Sequence, residues 1–226
     1  MELTVSQALR QRISVRAFRP DPVPEELVRE ILDTARWAPS GGNLQPWRII
    51  VLAGEARQAV TDLARRTEVE ATLAPIADRP VYPANLWEPY RSRRFKLGED
   101  MYALLGIARS DRDARLARWA ANYEFFGAPV GMFFVIDERM GHGQWAHLGM
   151  LILAVALAAQ SKGLGTCMQE AWASFRAPLK AQLNLAAHEM VYCGMALGYA
   201  NENAPVNRLR SERMPVNELA SFVGFD

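Results

Sequence analysis

The sequence predicts an α+β domain in which helices flank one central sheet. Three observations carry that reading. Helical patterns outnumber the short apolar runs that read as strands. Those runs, at about 48–53, 129–137, 164–170 and 189–198, are scattered among the helices rather than paired in hairpins. No internal repeat or linker divides the chain, and 226 residues suffice for one substantial core but are short for two. The span 1–226 is therefore read as one domain.

In chain order, Thr4 or Ser6 can cap a first helix that carries Val5, Leu9 and Ile13 on one side. Val23-Pro24-Glu25-Glu26 opens a second, with proline at the first helical position and acids in the first turn. Leu27, Ile31, Ala35 and Ala38 mark its inner face. The run Ile49-Ile50-Val51-Leu52 is a buried strand, and 55–66 is a third helix with Val60, Leu63 and Ala64 inward. From 73 to 89 come Pro75, Pro80, Pro83 and Pro89 with little periodicity, a long loop of the functional or mobile kind. Helical patterns resume at 99–107 and 111–126, followed by a strand at 129–137 and the Gly141-His142-Gly143 turn.

A helix at 144–161 comes next. Its apolar run, 148–159, is too short to span a bilayer and reads as buried all round, in a core or a subunit interface. A strand near 164–170, a helix at 174–183 and a strand at 189–198 complete the compact part. The tail, 201–226, has two prolines and little core pattern, so it must lie on something.

Composition excludes several classes. The net charge of +1 suggests neither a nucleic-acid partner nor an anionic membrane. The one basic run, Arg91-Ser92-Arg93-Arg94-Phe95-Lys96, reads as a solvated face or lid. Cys167 and Cys193 are the only cysteines and there is no basic-then-apolar leader, which fits a reducing cytoplasm with both thiols in the core. His142, His147 and His188 lack the close ligand spacing of a metal site. Neither a G-x-G-x-x-G nor a P-loop pattern occurs, which disfavours a Rossmann dinucleotide fold and an NTPase.

Two segments carry the chemistry. Arg12-Ile13-Ser14-Val15-Arg16 sets two planar donor forks beside a hydroxyl, a combination suited to phosphate oxygens. Ala38-Pro39-Ser40-Gly41-Gly42-Asn43-Leu44-Gln45-Pro46-Trp47 joins backbone freedom at the glycines to two amides that both donate and accept, which suits the polar edge of a flat heterocycle. Each alone is a common pattern: the first also describes a solvated turn, the second an ordinary helix-ending loop. Their order and separation is much less common.

Here the chain resembles the FMN-dependent nitroreductase family, which begins with R-x-S-x-R/K and carries A-P-S-x-x-N-x-Q-P-W. Gly163-Leu164-Gly165-Thr166-Cys167 resembles the family's G-L-G element, and Glu212-Arg213-Met214-Pro215 its basic-then-proline element. Asn122 to Pro129 and Ala204-Pro205-Val206-Asn207 are similar to the nitrobenzoate-reductase branch.

The resemblance implies a three-layer fold with a central mixed sheet flanked by helices, in an intertwined homodimer. The helix at 144–161 would cross the two-fold axis, the segment at about 73–126 would form a lid or insert, and 201–226 would be a dimer arm. It further implies FMN held by Arg12, Ile13, Ser14, Arg16 and Arg213, with Pro39, Ser40, Asn43 and Gln45 reaching in from the second subunit. Met168, Gln169 and Glu170 would pass the flavin face, with a backbone N–H near N5. Arg16 is the candidate for positive charge near N1, with Arg94 second; Arg208 and Arg210 stay open between flavin and surface.

The implied reaction is ping-pong hydride transfer from NADPH or NADH through flavin N5 to a flat acceptor. It needs no catalytic side chain. The acceptor expected is a nitroaromatic, taken to nitroso and then hydroxylamine, and the basic run suggests one with a carboxylate such as a nitrobenzoate. Trp87, Tyr90, Arg94, Tyr123 and Phe126 are the substrate candidates. The alternatives keep the flavin: a reductase of quinones, enones or halogenated aromatics, or a flavin-binding sensor without turnover.

Overall fold

The computed structural model describes residues 3–71 and 82–225. Its sheet has four strands, β1 (Trp47–Ala53), β2 (Val130–Asp137), β3 (Gly165–Gln169) and β4 (Glu189–Gly198), in the order β1-β2-β4-β3. All three pairings are antiparallel. The expected mixed sheet is thus realised only by one parallel bridge, Ser14 to Thr166. The reason is the order itself: β1 and β4 run one way, β2 and β3 the other, and no two strands of one direction lie side by side.

Strand alternation sorts the core into two clusters, one on each face. Met132, Phe134 and Ile136 of β2 face one side, with Cys193, Met195 and Leu197 of β4. There they meet α2 (Glu25–Ala35), through Val28, Ile31 and Ala35, and α6 (His142–Ser161), through Leu148, Leu151, Ile152, Val155 and Ala159. Phe133 and Val135 face the other side, among Tyr123, Phe125, Trp172 and Phe175. Val60 and Ala64 of α3 (Gly54–Ala71) join them, as does Leu179 of α7 (Arg176–Gln182). A register shift between Phe134 and Val135 marks a bulge in the β2–β4 pairing.

Most elements lie where periodicity put them, and the departures have local causes. The first helix, α1 (Val5–Gln11), starts with a capping box: Gln7 N donates to Thr4 Oγ1 at 3.3 Å and Thr4 N to Gln7 Oε1 at 2.8 Å. Only Ala8 is buried on it, so Val5 and Leu9, expected inside, face outward. α4 (Tyr90–Leu104) starts well before the expected 99, its exposed face carrying the Lys96–Asp100 ion pair at i, i+4.

The helix expected over 111–126 is α5 (Arg112–Ala120) followed by a 3-10 turn, Ala121–Gly127, in which Phe125 and Phe126 have φ of 51° and 53°. That turn lets Tyr123, Phe125 and Phe126 enter the core together. The Phe125 ring lies against Gly131, where a Cβ would meet it at 2.6 Å. Likewise, the helix expected at 174–183 is a 3-10 turn, Glu170–Phe175, and then α7. Of the proline-rich loop, Pro75 and Pro80 lie outside the described residues.

α6 is not buried all round. It is long and apolar enough to cross a membrane by length and composition, but one side packs on the sheet as a core helix does. The opposite side leaves Ala146, Gly149, Met150 and Leu153 exposed, an apolar stripe at helical spacing. The tail adds a short α8 (Val216–Leu219) and leaves Val216, Leu219, Phe222, Val223 and Phe225 exposed.

Candidate functional site

The arginine segment is held in place by backbone. Val15 N donates to Thr166 O at 2.9 Å, laying residues 12–16 along β3. The approach is close enough that a Cβ on Gly165 would meet Val15 Cγ2 at 2.6 Å, so glycine is required there. Asn207, buried in the 3-10 turn Pro205–Arg208, ties the far end. Its Oδ1 accepts from Arg16 N at 2.8 Å, and its Nδ2 donates to Ala17 O at 2.8 Å and to Asn201 O at 2.9 Å.

Around this segment lies a cavity of about 440 Å³ lined by Arg10, Arg12, Ser14, Arg16, Arg210 and Arg213, with Ile13 in its wall. Several arginines elsewhere on the surface are paired: Arg29 with Glu25 at 2.6 Å, Arg48 with Glu189 at 2.7 Å, Arg115 with Glu99 at 2.8 Å. Among the described residues, no ion pair is made by Arg12, Arg16, Arg213 or the neighbouring Arg118. Burial, and then the charge of Arg213, hold Arg12 below the usual arginine range; burial, and then Arg16, do the same to Arg118. Desolvated cations set close together without a counter-charge make a site for an anion.

A second cavity, about 790 Å³, opens at the end of β3. Arg12 lines it too, so the two share a wall. Met168, Gln169 and Glu170 border it, together with Trp119 and the exposed Leu153 of α6. On its rim Arg94 stands over the Tyr82 ring at 4.4 Å from the centroid. Gln169 Nε2 donates to Asn122 O at 2.6 Å, while its buried Oε1 has no hydrogen-bond partner. Burial pushes the Glu170 carboxyl above its ordinary range. The Cys167 thiol, beside Arg16, Arg118 and Arg12, is pushed up to about 11 by burial despite those charges, so it stays neutral.

The loop 39–45 lines neither cavity in this chain. Gly42, Asn43 and Gln45 have φ of 61°, 53° and 48°, a backbone that non-glycine residues adopt at a cost. Ser40 Oγ accepts from Gln45 N at 2.9 Å and Gln45 Nε2 donates to Asn43 O at 3.2 Å, which fixes the loop. Gly41 N donates to His147 Nδ1 at 3.3 Å, docking it on the start of α6. Pro39, Ser40, Asn43 and Gln45 are therefore grouped with one another and not with the arginines.

The substrate candidates divide. Arg94 lines the second cavity. Trp87 and Tyr90 are exposed and pack edge-on at 5.6 Å, outside the lining of that cavity. Tyr123 and Phe126 require a correction: they are 2% and 8% exposed and belong to the core. Tyr123 is wedged against Trp119, Trp172 and Phe175 at 5.1, 5.1 and 4.5 Å, so it offers no face to a ligand. The flat walls are Trp119 and Tyr82, one turn and one loop away in sequence. Sequence reasoning missed Arg118 and Asn207 as well. Only a buried turn pairing two distant segments reveals Asn207, and Arg118 looks like any charge on an amphipathic helix.

A family model described as the nitroreductase family matches residues 9–199. The chain is 41% identical over 215 residues to a 4-nitrobenzoate reductase of Pseudomonas putida, covering 95% of this chain and 93% of that protein. An FMN and NADPH-dependent nitroreductase, NfnB from Sphigopyxis sp. strain HMH, superposes with a TM-score of 0.95 at 43% identity, covering 99% and 100% of the two chains. NfnB from Mycobacterium smegmatis, solved with NADPH, gives 0.90 at 28% identity over 96% and 97%.

Proposed function

Because this chain belongs to the nitroreductase family, we propose that it is an FMN-dependent NAD(P)H oxidoreductase that reduces flat nitroaromatic acceptors. The observation that carries the reading is the cluster of guanidiniums around Ser14, of which Arg12 and Arg16 are part-buried and make no ion pair among the described residues, continuous through Arg12 with a cavity of about 790 Å³. The donor set fits FMN. Arg12, Ser14 and Arg213 supply the forked and hydroxyl donors that a phosphate needs. Met168, Gln169 and Glu170 supply a backbone edge, and the unpartnered Gln169 Oε1 leaves an acceptor beside it. When bound, FMN supplies hydride exchange between NAD(P)H and the acceptor.

The chain's own residues do the rest. Arg16, on the wall of the smaller cavity with Arg12, would add positive charge toward the ring as electron density accumulates there. Trp119 and Tyr82 give the acceptor flat apolar walls, and Arg94 gives its carboxylate a counter-charge. The relative named for a carboxylated acceptor, a 4-nitrobenzoate reductase at 41% identity, supports an acceptor of that class.

The assembly is a homodimer in this reading, with 201–226 as the arm, about 73–126 as the lid, and the whole chain as one cytoplasmic domain. Two exposed apolar surfaces support it: the α6 stripe at Ala146, Gly149, Met150 and Leu153, and the tail from Val216 to Phe225. A partner would also bring Pro39, Ser40, Asn43 and Gln45 to the arginines, from which they are separated within one chain.

An anaerobic absorbance spectrum before and after NADPH, and again after 4-nitrobenzoate, tests the proposal. A flavin band that bleaches and returns is expected. A protein that takes up no FMN overturns the site; bleaching without return keeps the flavin and discards the acceptor.

A further inference from the structure

Arg118 projects from α5 into the space behind the arginine segment. Its Nη2 donates to Arg16 O at 2.9 Å and its guanidinium lies 5.0 Å from the centre of the Phe126 ring. Its Nε is buried without a hydrogen-bond partner, and no carboxylate pairs with it among the described residues. A buried, unneutralised guanidinium is costly. The side chain is half-buried, and the Phe126 ring of the strained Phe125–Phe126 turn lies against its guanidinium. The groups facing it are Arg16, Cys167 and Tyr102, of which only Arg16 is charged, so the local field is positive throughout.

We propose that Arg118 is a positioning residue of the cofactor site: it fixes the Arg16 carbonyl and adds a permanent positive charge behind Arg16. The proposal rests on the flavin reading above, with Arg16 at the ring and Arg12 with Arg213 at the phosphate. Electrons arriving on the ring make it more anionic. A fixed cation that never contacts the ring therefore favours the reduced form over the oxidised one and raises the midpoint potential. Burial makes this effective, because the intervening medium screens little.

The test is spectroelectrochemistry of the flavin-loaded protein, with oxidised FMN affinity measured by fluorescence quenching. Arg118→Gln keeps a donor for Arg16 O and removes the charge. The expected result is about ten-fold weaker binding of reduced relative to oxidised cofactor, a fall of about 30 mV in a two-electron midpoint potential. Arg118→Lys keeps the charge and is expected to restore the wild-type potential. A purely structural role would weaken both oxidation states equally and leave the potential unmoved, and that result overturns the assignment. Should Arg118→Gln not fold, Arg118→Met, which keeps an unbranched stem without the charge, takes its place: a fall of the size above supports the proposal and an unchanged potential overturns it. Failure of the wild-type chain to bind FMN at all overturns the flavin reading, and this inference with it.

Discussion

Replacing Asn207 by leucine, close in size and without polar atoms, should uncouple the arginine segment from the turn that carries it. The loss can be worked from its bonds. Arg16 N has Asn207 Oδ1 as its acceptor and would be left as an orphaned donor in a part-buried place. That costs about 1–3 kcal/mol. Ala17 O and Asn201 O each keep a second donor, from Asn201 N at 3.0 Å and Ala204 N at 3.1 Å, so their losses are smaller, about 0.5 kcal/mol apiece. Added apolar burial offsets part of the sum, and the net is about 2–3 kcal/mol. For a chain of this length that corresponds to a melting temperature lower by roughly 5–10 °C, read by circular dichroism. FMN affinity should fall as well, because Arg12 and Arg16 lose their fixed spacing. A variant that melts within 2 °C of wild type, or that binds FMN unchanged, would show that the amide does not hold the site together.

Gly165→Ala drives a Cβ to 2.6 Å from Val15 Cγ2, so it should weaken FMN binding at least ten-fold by fluorescence titration while leaving the secondary structure intact. Tyr123→Phe removes a hydroxyl that donates to Ala171 O at 3.3 Å from a core ring, and should cost about 1 kcal/mol without changing KM for 4-nitrobenzoate; a large KM change would return Tyr123 to the substrate site. On the dimer proposed above, Met150→Glu sets a charge in the exposed α6 stripe and should sediment or scatter as a monomer where the wild type does so as a dimer. Arg139 and its N–H hold the Asp137 carboxyl well below the usual carboxylate range. A group depressed in the folded state contributes stability above its unfolded pKa, near 4, and loses it as pH falls further. Wild-type stability should therefore drop more steeply than that of Asp137→Asn below about pH 4 in acid titrations.

Periodicity was a good guide where the chain alone decides the outcome. The helix carrying Val60, Leu63 and Ala64 is legible because one face meets one core, and the strand at 189–198 because both its faces are buried, which leaves a near-continuous apolar run. The 121–127 turn was not legible. Two successive phenylalanines in the left-handed region contradict local preference, and only the aromatic cluster around Trp172 compensates for it. For the same reason Tyr123 and Phe126 looked available to a ligand: composition places aromatics near a site but not on which side of a backbone reversal they fall. The outward face of α6 has a different cause, since an apolar stripe reads as core whether its partner is the same chain or another. That Arg12, Ser14, Arg16 and Arg213 line one cavity follows from local motifs. Arg118 and Asn207 act across about 100 and 190 residues of sequence, where no local pattern reaches.

Arg12 lines both cavities, and this makes their contents thermodynamically reciprocal. An anion in the smaller cavity draws on the same guanidinium that an acceptor in the larger one sees. Whatever factor the first imposes on the affinity of the second, the second must impose on the first. A carboxylated acceptor then competes for charge with the group that makes its reduction possible, and a neutral one does not. Selectivity between the two is for that reason a property of the loaded pair of cavities and not of either wall alone: it should be narrower with FMN phosphate in place than the bare count of arginines implies.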